Sequence, residues 1–173
     1  VIVVPTHSSR RFLVMLLAIP LMALSTFVGA VGVKAVDSQP MPDFRWQDEE
    51  GNLHRLSDSQ GKPRLLHFWA AWCIPCREEM PQMLDWKRAN PDIEIIPLSM
   101  DQRMAQAQYF INRFDLEMPP LLVDKEDHDA LSIPGLPYTL LITEEGNLVG
   151  RVIGIADWED DSFSAQVRRR LGL

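Results

Sequence analysis

Cysteine is nearly absent: the 173-residue chain has two. That excludes a small secreted domain stapled by many disulfides. It also excludes a zinc site needing three or four thiolates. Basic charge is in short supply as well. The formal net charge is −7, which argues against broad charge attraction to nucleic acid. No internal repeat and no low-complexity tract is present. What remains is 46% hydrophobic and 24% charged, an ordinary globular composition. It fits neither a disordered tail, nor a collagen, nor a multi-span membrane protein. The length points to one domain.

The charge is unevenly placed. Only Arg10, Arg11 and Lys34 of the 17 Lys and Arg precede Asp37, so residues 37–173 carry 14 against 24 acidic side chains, a net of −10. Phe12 to Val33 is a run of 22 residues without a charge. As a helix, such a run is long enough for a hydrocarbon core of about 30 Å. Arg10 and Arg11 ahead of it keep the start cytoplasmic and send the rest outward. The run is either a single membrane anchor or a signal peptide cut after Ala30 or Ala35. It exceeds the roughly 7–15 residues of an ordinary signal core, which favours the anchor. A buried core helix is the bland alternative, but no polar face interrupts the run. Lys34 to Pro42 mixes charged, polar and proline residues and reads as a linker. The expected division is a leader over 1–36, a linker over 37–42 and a globular domain over 43–173.

Within that domain, Phe44–Trp46 and Leu53–Leu56 flank a Gly/Asn turn and predict a β-hairpin. Arg64 to Ala70 is a nearly continuous apolar stretch and predicts a buried central strand. Residues 74–89 carry helical spacing through Met80, Met83, Leu84 and Lys87. Ile93 to Met100 predicts a second strand, with Pro97 suggesting an irregular or edge position. Met104 to Phe114 predicts a helix with Tyr109, Phe110 and Phe114 in the core. A short helix is expected over Glu126 to Leu131. Tyr138–Thr143 and Leu148–Ile155 predict a second hairpin. Asp157 to Leu171 predicts a closing helix, acidic first and with Arg168, Arg169 and Arg170 last, as the helix dipole favours. The order of elements indicates an α/β protein around a mixed sheet.

Both cysteines fall in Trp72-Cys73-Ile74-Pro75-Cys76, after the strand and at the helix start. A disulfide between them closes a very small ring, which gives little chain-entropy stabilisation. The pair therefore suits cycling better than stapling. Cys73 would feel the positive helix end, which favours thiolate and makes it the expected nucleophile. Cys76, one turn deeper, is the expected resolving thiol. Pro75 fits the first turn. Two alternatives stand beside this. One is a stapling bridge or a pair of inert buried cysteines. The other is a metal site, copper included, built from both thiolates with His54, His67 or His128; no histidine stands at short ligand spacing from the pair.

The segment Phe68-Trp69-Ala70-Ala71-Trp72-Cys73-Ile74-Pro75-Cys76-Arg77-Glu78-Glu79-Met80-Pro81 resembles the active-site segment of the thioredoxin superfamily. It is most similar to the TlpA/ResA-like branch of membrane-anchored or periplasmic thiol:disulfide oxidoreductases. The resemblance extends over roughly residues 41–172, with Gly61-Lys62-Pro63 before the strand and Gly135-Leu136-Pro137-Tyr138-Thr139 later. It implies a thioredoxin-like fold, a central mixed sheet flanked by helices with an N-terminal β-hairpin extension. It also implies that Pro137 is a cis-proline facing the dithiol, with the Leu136 backbone pairing to an extended substrate segment. Pro81 matches a helix-kinking proline.

Three neighbours of the dithiol stand out. Glu79 shares the helix face of Cys76 and matches an acidic residue of the ResA-like branch, where a carboxylate can exchange protons with the thiols. A solvated glutamate is its bland alternative, and Glu78 is read as one. His67 departs from the resemblance, which has a buried acid or a neutral polar residue there. It could accept a proton from Cys76 or, if charged, stabilise a thiolate; a hydrogen-bonded core histidine is the bland reading. Trp72 is expected to shield Cys73 and shape the contact surface, and Trp69 to sit in the core. Met80 and Met83 are expected as packing, and Asp157 to Asp161 as a solvated helix start.

The expectation is a monomeric extracytoplasmic thiol:disulfide oxidoreductase, with the reductase direction favoured. It would need no bound cofactor, act on disulfide-containing exported proteins and draw electrons from a membrane thiol donor. The resemblance implies cytochrome c maturation as one candidate role. The rivals are a disulfide-donating oxidase with the same dithiol and a copper delivery or binding protein.

Overall fold

The computed structural model describes residues 31–59 and 61–173. The apolar leader up to residue 30 lies outside the described residues. None of the described helices is long and apolar enough to cross a membrane. In chain order the strands are β1 (Lys34–Pro40), β2 (Arg45–Gln47), β3 (Leu53–Arg55), β4 (Arg64–Trp69), β5 (Glu94–Ser99), β6 (Leu121–Val123), β7 (Tyr138–Ile142) and β8 (Asn147–Ile153). The helices are α1 (Ile74–Ala89), α2 (Met104–Arg113), the short α3 (Lys125–His128) and α4 (Asp161–Leu171). A 3-10 turn at Leu56–Ser59 precedes β4.

Among the described residues all eight strands join one sheet in the order β1-β8-β7-β4-β5-β6-β2-β3. β4 is fully buried and central, parallel to β5 and antiparallel to β7. Alternation along β4 divides the core. Leu65 and Trp69 join a cluster with Met80, Met83 and Leu84 of α1, Phe110 of α2, and Phe163 and Val167 of α4. Leu66 and Phe68 face the other way, toward Phe44, Trp46, Leu56 and Val123. His67 has the same alternation as Leu65 and Trp69, so it points to the α1 side.

Three expectations are corrected and a fourth is refined. Lys34–Pro40, read as linker, is edge strand β1, with Lys34 opposite Arg151 and Pro40 opposite Asn147. It is mostly exposed and carries an irregular register between Ala35 and Gln39, so no apolar alternation marks it. Val31 and Val33, the end of the uncharged run, pack against the core. Pro97 lies on an internal strand, opposite His67. β6 joins β5 only at Leu98 and Ser99, so at Pro97 the strand has one neighbour and tolerates a missing N–H. In α2, Phe110 is buried but Tyr109 is 70% exposed and Phe114 40%. Adjacent helix positions are about 100° apart, so Tyr109 and Phe110 cannot share a face; Ala107, Phe110 and Ile111 form the inward stripe. The closing helix begins at Asp161, with Asp160 as its N-cap accepting from the Ser162 N–H at 2.8 Å.

Candidate active site

β4 ends at Trp69, and the chain turns through Ala70–Trp72 into α1. Two hydrogen bonds fix this turn. The Cys73 N–H donates to the Ala70 carbonyl at 3.0 Å, and the Met100 N–H to the Trp69 carbonyl at 2.7 Å. Asp101 adds a third. Its carboxyl Oδ2 accepts from the Ala71 N–H at 2.9 Å and from the Ser99 hydroxyl at 2.8 Å. The sequence reading missed Asp101; a lone acid at the end of an apolar strand is its only local signal.

Cys73 is the N-cap of α1 rather than a first-turn residue, and its sulfur accepts from the Cys76 N–H at 3.2 Å. Cys73 and Cys76 form a disulfide with Cα atoms 5.3 Å apart. A sulfur at this position faces the unpaired N–H groups and positive end of the helix, an effect worth about 0.3–1 kcal/mol for an anion and up to about 2 where partly buried. Cys76 is fully buried and Cys73 is 4% exposed, so the first cysteine is the outer of the two. Trp72 and Ile74 beside it are 67% and 60% exposed, an apolar rim around a covered dithiol. Trp69 is buried and packs on Phe110, with ring centroids 5.0 Å apart.

The Leu136–Pro137 peptide bond is cis and leads directly into β7. The Pro137 carbonyl accepts from the Gly154 N–H at 2.9 Å, which ties this segment to the loop after β8. Leu136 packs against both core clusters.

Beneath the dithiol lies a buried polar layer. Glu79, three residues after Cys76 on the same face of α1, is 1% exposed, while Glu78 is exposed. The Trp158 indole N–H donates to Glu79 Oε1 at 2.6 Å, and Oε2 has no partner. Burial pushes the Glu79 carboxyl up to about 7, against the opposing hydrogen bonds from Trp158 and the Ala156 backbone. The solvated-glutamate alternative is therefore ruled out by placement. His67 is fully buried, with Nδ1 3.0 Å from the Thr139 hydroxyl and no partner at Nε2. Burial lowers its pKa to about 4, so the ring is neutral at neutral pH. That removes a charged His67 as thiolate stabiliser and leaves a hydrogen-bonded neutral ring. Trp158 stands edge-on to His67 at 6.3 Å between centroids. It comes from the acidic run read as a solvated helix start, which is thereby corrected. Asp157 and Glu159 are exposed, and the tryptophan between them turns inward. An aromatic isolated among acids was the available signal.

The histidines weighed as metal ligands are engaged elsewhere. His54 Nε2 lies 2.7 Å from Asp48, and His128 Nε2 lies 3.3 Å from the Met100 carbonyl. Among the described residues no group of three or more His, Cys, Asp or Glu side chains could hold a metal ion.

A central mixed sheet flanked by helices, with a dithiol capping the helix after its middle strand, defines a thioredoxin-like thiol-disulfide oxidoreductase. The chain belongs to the AhpC/TSA family, whose pattern it matches over residues 38–151. It is 34% identical over 154 residues to the thiol-disulfide oxidoreductase ResA of Geobacillus kaustophilus, covering 86% of each chain. Among solved structures it resembles the thioredoxin domain of a thiol-disulfide oxidoreductase from Bacteroides vulgatus, with a TM-score of 0.65 and 25% identity over 79% of this chain and 99% of that one. The fold is also that of a Chlorobium tepidum protein assigned as thiol:disulfide interchange protein DsbE, with a TM-score of 0.68 and 23% identity over 80% of this chain and all of that one.

Proposed function

We propose that the protein reduces disulfides in exported proteins on the outer side of the cytoplasmic membrane, by exchange through Cys73 and Cys76. The observation that carries this is the pair's position: Cys73 caps α1 while Cys76 is sealed one turn below it. The reduced Cys73 thiolate attacks a substrate disulfide, forming a Cys73–substrate bond and releasing one substrate thiolate. Cys76 then gives up its proton and attacks the Cys73 sulfur. The Cys73–Cys76 disulfide forms and the second substrate thiolate leaves. Two electrons pass to the substrate, and a membrane thiol donor restores the dithiol. Glu79 is the proposed acceptor for the Cys76 proton. A carboxyl with a pKa of about 7 is matched to that task near neutral pH.

The exposed Trp72 and the backbone at Leu136, beside cis-Pro137, are the proposed docking elements for an extended substrate segment. Two grooves elsewhere, one lined by Trp46, Lys87 and Glu94 and one by Gln47, Asp124 and Lys125, include neither cysteine. The part of the uncharged run from Phe12 that precedes core-packed Val31 and Val33 acts as the anchor in this reading, the protein works as a monomer, and cytochrome c maturation is one role it would serve. His67 is a neutral tuning group rather than a proton carrier.

The test is turnover against an insulin-type disulfide together with the potential of the couple. Retained full-rate reduction by Cys73→Ser would sink the proposal. A potential near or below about −220 mV supports the reductase direction, whereas one near about −120 mV makes the protein an oxidant.

A further inference from the structure

Trp158 is more thoroughly fixed than a loop residue needs to be. The loop that carries it leaves β8 at Ile153 and is tied to cis-Pro137 by the Gly154 N–H. The indole is 3% exposed. It is held edge-on by Trp86 at 5.4 Å and by Phe163 at 5.3 Å, besides His67 at 6.3 Å. Phenylalanine could fill much of that space. The N–H is what it could not supply, and that N–H points at Glu79 Oε1.

We propose that Trp158 is the positioning residue for the Glu79 carboxyl group: its indole N–H fixes Oε1 and leaves Oε2 as the oxygen that exchanges a proton with the Cys76 sulfur. The proposal rests on the reading of Glu79 as proton acceptor. In the resolving step, Cys76 S–H and the Glu79 carboxylate become Cys76 thiolate and Glu79 carboxylic acid. The thiolate attacks Cys73, and the departing substrate thiolate takes up the proton that Glu79 returns. Throughout, Oε1 keeps its bond to Trp158, which leaves Oε2 as the oxygen without a side-chain partner.

The surroundings leave few competing charges. On α1 the titratable neighbours are the two cysteines; Arg77 and Glu78 are exposed, with the Arg77 guanidinium over the Phe114 ring. β4 contributes neutral His67. On the loop and the start of α4, Asp157, Glu159 and Asp161 are exposed. No ion pair to Glu79 is present among the described residues. The indole N–H is therefore the strongest single group favouring the ionised carboxyl, ahead of the Ala156 backbone.

Two measurements test this. The first is the pH dependence of disulfide exchange with a small aromatic disulfide, for the full chain, Trp158→Phe, Glu79→Gln and the double variant. The Glu79 inflection should move up by about one pH unit in Trp158→Phe. It should vanish in Glu79→Gln, and the double variant should match Glu79→Gln alone. An unmoved inflection in Trp158→Phe, with loss in Glu79→Gln, overturns the positioning role and leaves the proton acceptor standing. An unchanged profile in Glu79→Gln removes the acceptor reading and the proposal with it. The second measurement needs no folded variant of Trp158. In the unmodified protein, the Trp158 indole N–H resonance should shift with the same midpoint as the Glu79 carboxyl carbon. A resonance that stays still while the carboxyl titrates also overturns the proposal.

Discussion

The rim of the dithiol and the layer beneath it are built in opposite ways. The rim, Trp72-Cys73-Ile74-Pro75-Cys76, is contiguous in sequence and takes its chemistry from local geometry, a sulfur capping the helix. The layer is His67 from β4, Glu79 from α1 and Trp158 from the loop after β8, residues up to 91 positions apart in the chain. The rim leaves Trp72 and Ile74 exposed, while the layer is sealed from water. The difference separates two tasks. Nucleophilicity can be installed by one helix end, but proton affinity needs a dry environment that only tertiary packing supplies.

The sharpest break of this contrast comes at the rim. Cys73→Ser should abolish disulfide reduction, since no other thiol can initiate attack and the remaining cysteine is fully buried. Insulin turbidity measures it. Cys76→Ser should retain the first attack and stall after it. Non-reducing electrophoresis should then show a Cys73-linked adduct that accumulates with substrate. Equal adduct yields from Cys73→Ser and Cys76→Ser would mean that the two thiols are interchangeable and that helix capping does not select the nucleophile.

Glu79→Gln tests the layer. General acid–base groups typically contribute 10²–10⁴-fold, and because thiols ionise readily a loss of about tenfold at pH 7 is expected. Stability should move the other way. The folded-state pKa is raised to about 7 from an ordinary 4.5, so the folded protein binds the proton more tightly than the unfolded chain. Wild-type stability from this group is greatest below pH 4.5 and falls as pH rises to 7. The full effect is about 3 kcal/mol, from about 1.4 kcal/mol per pKa unit. Glu79→Gln should thus be more stable than wild type in urea melts at pH 8, and the gain should shrink toward pH 4.

This split also explains what could be read from the sequence. The dithiol and the central strand are marked by contiguous residues and stand where their neighbours in the chain put them, whereas the cis bond at Pro137 was legible only through the resemblance of its segment. Glu79 was legible because helical spacing ties it to Cys76. Trp158 and Asp101 were not, because nothing near them in sequence mentions α1 or the Ala71 N–H. Strand β1 was missed for a different reason. An exposed edge strand needs no apolar alternation, and its partner β8 supplies the hydrogen bonds. Tyr109 shows the converse error, an aromatic assigned inward although its helix turns it out.

The smallest effect on catalysis, and the finest division within the layer, should come from His67. If the ring is a neutral structural group, His67→Asn should change exchange rates less than about threefold, because asparagine can keep a hydrogen bond to Thr139. Its signature belongs in the acid stability. The ring's folded-state pKa is lowered from 6.5 to about 4, so the unfolded chain takes up the proton first. Stability from this group is full above pH 6.5 and is lost as pH falls to 4. Glu79 has the opposite slope across nearly the same interval, so the two offset one another in the wild type. Removing either should expose the other: His67→Asn should lose stability as pH rises from about 4.5 to 7, and Glu79→Gln should gain it from about 4 to 6.5. Parallel urea series on both variants measure the pair. Two flat profiles would mean that neither group is neutral through burial, and that the dry layer beneath the dithiol is wet.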